Sequence, residues 1–311
     1  MTLLRRYKES LKAIEAEEVF DLVIYRPLAF LFVTATYATN LTPNQVSLMA
    51  MAVGVTGGVL FGMGTPAALA SGACCYFLSN VLDCADGQIA RLKKNGTRIG
   101  RIVDGFIDYV VSIAVFLGIA LALSSDSARG IMPPFGQSSL GITTASSGIW
   151  YAWTLTVLAG ASTAYQAFHF DLARNNYLKY VYGKGSSLET EICEFEEERT
   201  LTLKGKKGLG RWIDLLLIAI YLRYTRLQLK SASSESAVNH ARVTPEDYAR
   251  HNKMLLRAWS FTGSTTHITL CVACALAGNL ELFLLLTVLL NVLTLALQVL
   301  QSRAEKRTFA A

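Results

Sequence analysis

Residues 83–108 read DCADGQIARLKKNGTRIGRIVDGFID and join two long apolar runs. Each run carries two aspartates at the end nearest the connection, and these are Asp83, Asp86, Asp104 and Asp108. An ionised side chain inside a membrane-spanning helix costs about 2.5–3.5 kcal/mol on insertion scales, so such residues mark function by default. The two apolar runs and their aspartates therefore decide both the fold and the candidate site.

The composition of the whole chain is that of a membrane protein. Its 311 residues are 52% hydrophobic and 17% charged, with a mean hydropathy of +0.36. These values exclude a disordered chain, a coiled coil and an ordinary soluble domain. Spanning helices need about 20 mostly apolar residues, and six segments qualify: 45–63, 66–92, 98–123, 148–172, 254–278 and 280–302. The sequence predicts an all-α, polytopic membrane protein with six transmembrane helices.

The distribution of Lys and Arg predicts the orientation. If the first span starts in the cytoplasm, 28 of the 29 Lys and Arg residues lie on the cytoplasmic side, and Arg129 is the exception. Both termini and the aspartates are then cytoplasmic. We expect the plasma (inner) membrane in a bacterium or archaeon, and the endoplasmic reticulum in a eukaryote. The net charge of +6 is explained by this topology, so we expect no nucleic-acid partner.

Four regions are predicted along the chain. An N-terminal interfacial segment covers 1–41, and 42–182 holds the first four spans with the aspartates. A charged cytoplasmic insertion covers 183–250, and 251–311 holds the last two spans and a C-terminal tail. The first region begins with an amphipathic helix, because apolar residues repeat there at helical spacing: Leu4, Tyr7, Leu11 and Ile14.

Two further apolar stretches have ambiguous patterns. The stretch 20–38 is interrupted by Asp21 and by Arg26-Pro27, which favours a re-entrant or interfacial segment, with a full span as the alternative. The run 212–222 in the insertion is too short to span comfortably, which favours an interfacial helix held by cations on anionic lipid. A solvated linker is the alternative for the insertion.

The aspartates are arranged so that they can meet. Positions 83, 86, 87, 90 and 91 share one helical face, and Gly100, Asp104 and Asp108 repeat at four-residue steps on the next helix. The connection 92–99 is short, so the two helices are antiparallel neighbours. Four carboxylates together repel one another unless a cation compensates them, and oxygen ligands suit two Mg²⁺ or Mn²⁺ ions.

Paired metal ions clamp phosphoryl oxygens, and the residues beside the aspartates suit a phosphate ligand. Gly87, Ala90 and Gly100 leave room for a nucleotide or diphosphate on the helix backbone, and Arg91 could neutralise a phosphate. A buried polar network that only joins the helices, or a cation pathway through a transporter, are the alternatives.

The pattern Asp83-x2-Asp86-Gly87-x2-Ala90-Arg91-x8-Gly100-x3-Asp104-x3-Asp108 resembles the signature of the CDP-alcohol phosphotransferases, also called CDP-alcohol phosphatidyltransferases. Eight identities across 26 positions make this a specific resemblance. It extends more weakly to Thr42-Pro43-Asn44 and Ser47 and to the six-helix plan. It does not cover the insertion at 183–250.

The resemblance implies an integral membrane enzyme of phospholipid biosynthesis. Such an enzyme moves the phospho-alcohol group of a CDP-alcohol to the hydroxyl of a second alcohol and releases CMP. It implies that two Mg²⁺ (or Mn²⁺) ions are held by Asp83, Asp86, Asp104 and Asp108, with Asp108 also the general base. The nucleotide side would be formed by Asn44, Ser47, Asp83, Gly87, Ala90, Arg91 and Gly100. The family is commonly homodimeric, so a homodimer in contact with membrane lipids is expected.

The acceptor pocket is expected against the fourth and fifth spans, and its candidate residues are His169, Arg174, Arg257 and Ser260. The nearby cations favour CDP-diacylglycerol with a polar acceptor of the inositol phosphate or glycerol phosphate type. Helix-to-helix hydrogen bonding is the alternative role for these residues. The alternative enzyme is a choline/ethanolamine-type phosphotransferase, which uses a small CDP-alcohol and a lipid acceptor. Two alternatives come from other classes of protein, and these are a cation transporter and an aspartate-rich prenyltransferase.

Overall fold

Every element is helical in the part of the chain that the computed structural model describes, which is residues 3–11, 14–95, 98–128, 145–183, 188–204, 209–235 and 244–310. The first helices are α1 (Leu3–Ser10), α2 (Arg26–Thr36), α3 (Pro43–Gly62), α4 (Pro66–Lys93) and α5 (Arg98–Ala128). They are followed by α6 (Ala145–Tyr182), α7 (Leu188–Lys204), α8 (Leu209–Glu235), α9 (Pro245–Trp259), α10 (Ser264–Leu276) and α11 (Leu280–Ala310). Short 3-10 turns lie at Ile14–Ala16 and Ser260–Thr262, and a π-helical turn lies at Asp21–Tyr25.

Four of the described helices are long and apolar enough to cross a membrane. These segments are Pro43–Gly62, Pro66–Lys93, Ile102–Ser125 and Leu280–Lys306. They correspond to the first, second, third and sixth predicted spans. The predicted span 148–172 lies within α6, which is not among these four. The six-span count and the orientation stay predictions, and Arg129 lies outside the described residues.

The segment 254–278, predicted as the fifth span, is divided between two helices. Helix α9 ends at Trp259, a 3-10 turn follows, and Gly263 has an extended backbone before α10 begins at Ser264. Helix α10 has only 13 residues, fewer than the about 20 that a spanning helix needs. The apolar composition of 254–278 therefore arises from two short helices that pack on their neighbours.

Small residues let α3, α4 and α5 approach closely. A Cβ at Gly54 would lie 2.6 Å from Ser79 Oγ on α4, and a Cβ at Gly118 would collide with the backbone of Gly58. Ser79 also donates a hydrogen bond to the Ala50 carbonyl at 2.7 Å. Glycines four residues apart on a membrane helix allow backbones to touch in this way. The three helices therefore form the tightly packed frame of the site.

The first turn of α3 is fixed by a capping box. Thr42 Oγ1 accepts a hydrogen bond from the Gln45 N–H, and Gln45 Oε1 accepts one from the Thr42 N–H. Pro43 occupies the first helical position, where its missing N–H costs nothing. At the far end of the site, Lys93 Nζ donates to the carbonyls of Thr39 and Leu41, so α4 ends against the start of α3.

The N-terminal residues form short, irregular elements. Helix α1 ends at Ser10, so the predicted helical repeat does not continue to Ile14, which begins a 3-10 turn. The apolar stretch 20–38 forms a π-helical turn and α2, which ends at Thr36 and packs on α4. This segment is not among the four candidate spans. The location of α1 at the membrane surface stays a prediction.

The remaining helices form two groups around the frame. Helices α6, α9 and α11 pack together through an aromatic cluster that includes Phe170, Tyr177, Tyr248 and Trp259. Helices α7 and α8, from the charged insertion, form a hairpin that contacts α5 near Ile102. The apolar run 212–222 lies within the longer helix α8.

Candidate active site

Two consecutive helices bring three carboxylates together. Asp83 and Asp86 lie about one turn apart on α4, and Asp104 lies in the second turn of α5. Each supplies one carboxylate oxygen, and the three oxygens lie within 4.8 Å of one another. We call Asp83, Asp86 and Asp104 the aspartate group. The structure thus places three of the four sequence-predicted aspartates in one position.

The donor set of the aspartate group fits a hard divalent cation. Carboxylate oxygens are the ligands that Mg²⁺ and Mn²⁺ prefer. The buried Asp83 Oδ1 has no hydrogen-bond partner in the part of the chain that the structure describes. A buried carboxylate oxygen without a partner is unfavourable unless another charge compensates it. A cation between α4 and α5 would provide that compensation.

Asp108 lies one turn beyond Asp104 on α5, outside the aspartate group. Its side chain is exposed, whereas that of Asp86 is only 4% exposed. Asp108 nevertheless interacts electrostatically with Asp83, Asp104 and Asp86. It is therefore the most accessible of the four aspartates, although it still interacts with the other three.

Ser47 connects α3 to the aspartate group. Its hydroxyl lies 2.5 Å from Asp86 Oδ2 and 3.1 Å from the Pro43 carbonyl oxygen. The sequence predicts a nucleotide contact for Ser47, and the structure places it against a candidate metal ligand, which it orients. Asn44, in the first turn of the same helix, is exposed.

Gly87 and Arg91 lie together on the face of α4 that carries the aspartates. A Cβ at Gly87 would lie 3.4 Å from Arg91 Nη1, so the glycine leaves the guanidinium uncovered. Arg91 Nε donates to the Ser10 carbonyl, and its buried Nη2 has no hydrogen-bond partner among the described residues. One edge of the guanidinium is therefore held by α1, while the other can bind an anion. Ala90 is half-buried, as is Gly100 in the first turn of α5.

A second set of acidic residues lies between α1 and α2, and sequence analysis did not identify it. Glu17, Glu18 and Asp21 are all buried, and we call them the N-terminal carboxylate group. Arg26 Nη2 donates to Glu17 Oε2 at 2.9 Å in a buried ion pair. The Arg26 carbonyl accepts a hydrogen bond from Gln88 Nε2 at 3.0 Å. This segment therefore contacts α4 at Gln88, two residues after Asp86.

Glu18 and Asp21 also hold the start of α10. The Thr265 N–H donates to Glu18 Oε2 at 3.0 Å, and Thr265 Oγ1 donates to Asp21 Oδ1 at 3.0 Å. A Cβ at Gly263 would collide with the Glu18 carboxylate, so this approach requires glycine. Cys84 Sγ donates to Asp21 Oδ1 at 3.6 Å, which links the same cluster to the turn of α4 that carries Asp83.

Burial changes the protonation of the N-terminal carboxylate group. It raises the pKa of Glu18 to about 8, and repulsion from Asp21 adds to this effect. Burial likewise raises the pKa of Asp21, although the Arg26 guanidinium opposes the shift. The signal that pointed to these residues was the interruption of the apolar stretch 20–38 by Asp21 and Arg26-Pro27. No local sequence pattern indicates their distant partners.

Arg257 and Ser260, two of the predicted acceptor residues, have protein partners. Arg257 Nη1 donates to the Glu17 carbonyl at 3.1 Å, and Nη2 donates to the Ile14 carbonyl at 2.8 Å. Ser260 is buried and its hydroxyl donates to the Arg257 carbonyl at 2.8 Å. These contacts fix the N-terminal segment to α9, and an acceptor phosphate would have to share Arg257 with those carbonyls.

The other two predicted acceptor residues, His169 and Arg174, lie on α6. Arg174 Nη2 is 2.8 Å from Asp171 Oδ1, and both side chains are about one-third exposed, at 35% and 34%. The His169 ring stacks on Trp259 with ring centroids 6.4 Å apart. Unlike Arg257, Arg174 pairs with a side chain of its own helix and not with the carbonyls of Glu17 and Ile14.

Comparison with known proteins gives a match over the part of the chain that contains the aspartate group. Residues 40–184 match the CDP-alcohol phosphatidyltransferase family. The chain is 36% identical over 81 residues to a phosphatidylinositol phosphate synthase of Mycobacterium tuberculosis (strain CDC 1551 / Oshkosh), and 38% identical over 81 residues to one of Mycobacterium marinum (strain ATCC BAA-535 / M). These matches cover 26% of this chain and 36% and 33% of the two relatives. The chain therefore spans about a third of the length of the curated relatives it matches.

Proposed function

We propose that the protein transfers a phosphatidyl group from a CDP-alcohol to the hydroxyl of a second alcohol and releases CMP. The match of residues 40–184 to the CDP-alcohol phosphatidyltransferase family supports this proposal. The observation that carries the proposal is the aspartate group, whose three carboxylate oxygens lie within 4.8 Å of one another at the junction of α4 and α5. The matched region includes this junction and the first turn of α3.

The aspartate group would hold the divalent cations, with Mg²⁺ or Mn²⁺ the ions that suit its oxygen ligands. We propose two ions per site, with Asp108 as a further ligand. When bound, they would offset the charge of the diphosphate and support CMP as a leaving group. Ser47 keeps Asp86 in position for this role through the 2.5 Å contact with Asp86 Oδ2.

The chain's own residues supply binding and proton transfer. The free edge of the Arg91 guanidinium and the open backbone at Gly87 form the proposed cradle of the CDP moiety. Asp108, exposed at the edge of the aspartate group, is the proposed general base. Its carboxylate accepts the proton of the acceptor hydroxyl as that oxygen attacks the phosphorus atom.

The favoured donor is CDP-diacylglycerol, and the favoured acceptor is a phosphorylated polyol of the inositol phosphate or glycerol phosphate type. The activity named for the mycobacterial relatives, phosphatidylinositol phosphate synthase, supports this choice. The partly exposed Arg174 supports it as well, because a guanidinium binds phosphate in a fork geometry. A homodimer and an active site that faces the cytoplasm remain part of the proposal.

The decisive experiment follows CMP release from the purified protein with Mg²⁺. CDP-diacylglycerol is offered with inositol phosphate or with glycerol phosphate, and CDP-choline or CDP-ethanolamine is offered with diacylglycerol. Release that requires CDP-diacylglycerol and a phosphorylated polyol supports the proposal. Release only from a small CDP-alcohol would favour the choline/ethanolamine-type alternative, and ion flux in liposomes without CMP release would favour a transporter.

A further inference from the structure

Helix α8 is apolar on two opposite faces. Its inner face packs on α7 and α5 through Ile218 and Leu222, which are 0% and 3% exposed. Its outer face carries four large side chains that are 53–70% exposed, and these are Trp212, Leu216, Ile220 and Leu227. An apolar face of this size in contact with water is unfavourable, so the outer face requires an apolar partner.

The inner contacts of α8 place it beside the start of a candidate membrane span. Ile218 and Leu222 pack in one cluster with Ile102 of α5. Ile102 is the first residue of the candidate spanning segment Ile102–Ser125. The middle of α8 therefore lies beside the first residue of this candidate span. If α5 enters the membrane there, a helix in this position meets lipid headgroups and the adjoining ends of the acyl chains.

Cations lie on and beside the exposed face. Arg223 follows Ile220 by three residues and precedes Leu227 by four, so helical spacing puts it on the same face. Arg223 is exposed, as is Arg226, whose Nη2 lies 2.5 Å from Glu196 Oε1 on α7. Long apolar side chains interspersed with arginines are typical of helices that lie in the plane of an anionic membrane surface.

We propose that the outer face of α8 binds the anionic lipid leaflet nearest the aspartate group. Trp212, Leu216, Ile220 and Leu227 enter the boundary between headgroups and acyl chains, and Arg223 contacts anionic headgroups. Because Ile102 precedes Asp104 by two residues, the same helix that rests on the lipid also holds the first turns of α5. This inference is independent of the reaction that the aspartate group carries out.

The test measures the environment of Trp212 in the full-length protein in nanodiscs, without substrate. The fluorescence of Trp212 is taken as the difference between the wild type and Trp212→Phe. A difference between the wild type and Trp259→Phe serves as the control, because Trp259 is 2% exposed and lies within the aromatic cluster. We expect brominated lipids to remove most of the Trp212 signal and to leave the Trp259 signal largely unchanged.

Other results of this measurement would contradict the proposal. Quenching of Trp212 by aqueous acrylamide but not by brominated lipid would place the outer face in water. Protection from both quenchers would show that protein, such as a second copy of the chain, covers it.

A charge-reversal variant tests the anionic part of the proposal. Arg223→Glu should weaken the quenching of Trp212 by brominated lipid in nanodiscs that contain anionic lipid, with no loss in purely zwitterionic ones. Arg250→Glu makes the same charge change at an exposed position on α9 and should leave Trp212 quenching unchanged. Equal effects of Arg223→Glu in both lipid compositions would overturn the role of anionic headgroups.

Discussion

The aspartate group and the N-terminal carboxylate group are both acidic, but the protein treats them differently. Glu17 accepts from Arg26, while Glu18 and Asp21 both accept from Thr265. In the aspartate group, Asp83 Oδ1 is buried without a hydrogen-bond partner in the described part of the chain. The N-terminal carboxylates are paired with protein groups, whereas the aspartate group retains a buried oxygen without a hydrogen-bond partner, which suits the proposed cation site. If that proposal is right, the first group is structural and the second is functional.

Replacement of Asp83 tests whether the aspartate group is a functional site, and we expect it to have the largest effect. In Asp83→Asn, the loss of several kcal/mol of cation-mediated charge stabilisation should slow CMP release by about three orders of magnitude. The midpoint of thermal unfolding without metal should stay the same or rise, because one of three adjacent negative charges is removed. Kinetics and differential scanning fluorimetry measure the two effects. A large fall in the unfolding midpoint would instead show that Asp83 stabilises the fold.

Replacement of Asp108 tests whether a residue outside the aspartate group also acts in the reaction. Asp108→Asn should reduce turnover by about 10²–10³-fold, within the range expected for loss of a general base. Binding of a CDP-alcohol, measured by calorimetry, should remain within a few-fold of the wild type, because the three carboxylates of the aspartate group are retained. Full turnover in this variant would remove the proposed base.

Glu17→Gln should affect stability more than chemistry. The substitution leaves the buried Arg26 guanidinium without its ion-pair partner, and breaking such a pair costs about 3–5 kcal/mol. Because Asp21 and Asp83 also interact with Arg26, we expect the lower end of this range. Chemical unfolding in detergent micelles measures it. Glu9→Gln is the matched control, since the Arg5–Glu9 pair is exposed and its loss should change stability by less than about 1 kcal/mol.

The smallest expected effect is a change in the pH dependence of stability. Burial raises the pKa of Glu18 from 4.5 to about 8, so the folded state retains a proton that the unfolded state has lost. Stability should therefore fall as pH rises between about 4.5 and 8. The charged groups that act on Glu18 are Asp21 on its own segment and Arg174 and Asp171 on α6.

Glu18→Gln should flatten this dependence, because the amide keeps an oxygen that can accept from Thr265 and does not titrate. Unfolding midpoints at about pH 6 and about pH 8.5 should differ less in the variant than in the wild type. An identical pH dependence in both proteins would show that Glu18 is already ionised in the folded state throughout this window.

The sequence was sufficient to predict that α4 and α5 bring Asp83, Asp86 and Asp104 together. The positions 83, 86 and 104 follow helical spacing on two apolar segments joined by a short connection, and all of these signals are local. The spacing Gly54-x3-Gly58 was also available in the sequence as a sign of close helix packing, although sequence analysis did not use it.

The N-terminal carboxylate group could not be predicted in the same way. Glu17 and Glu18 follow a 3-10 turn and Asp21 begins a π-helical turn, and these segments lack the 3.6-residue repeat of an α-helix. Its main partner, Thr265, is 247 residues from Glu18. The division of 254–278 into two helices lies at this contact, because the Glu18 carboxylate approaches the backbone at Gly263.

The separation between Glu18 and Thr265 also constrains how the protein is made. The ribosome makes Thr265 247 residues after Glu18. During translation, Glu17 can pair with Arg26 early, but Glu18 and Asp21 are made long before the residue that donates to both of them. The nascent protein can therefore form these contacts only after Thr265 has left the ribosome.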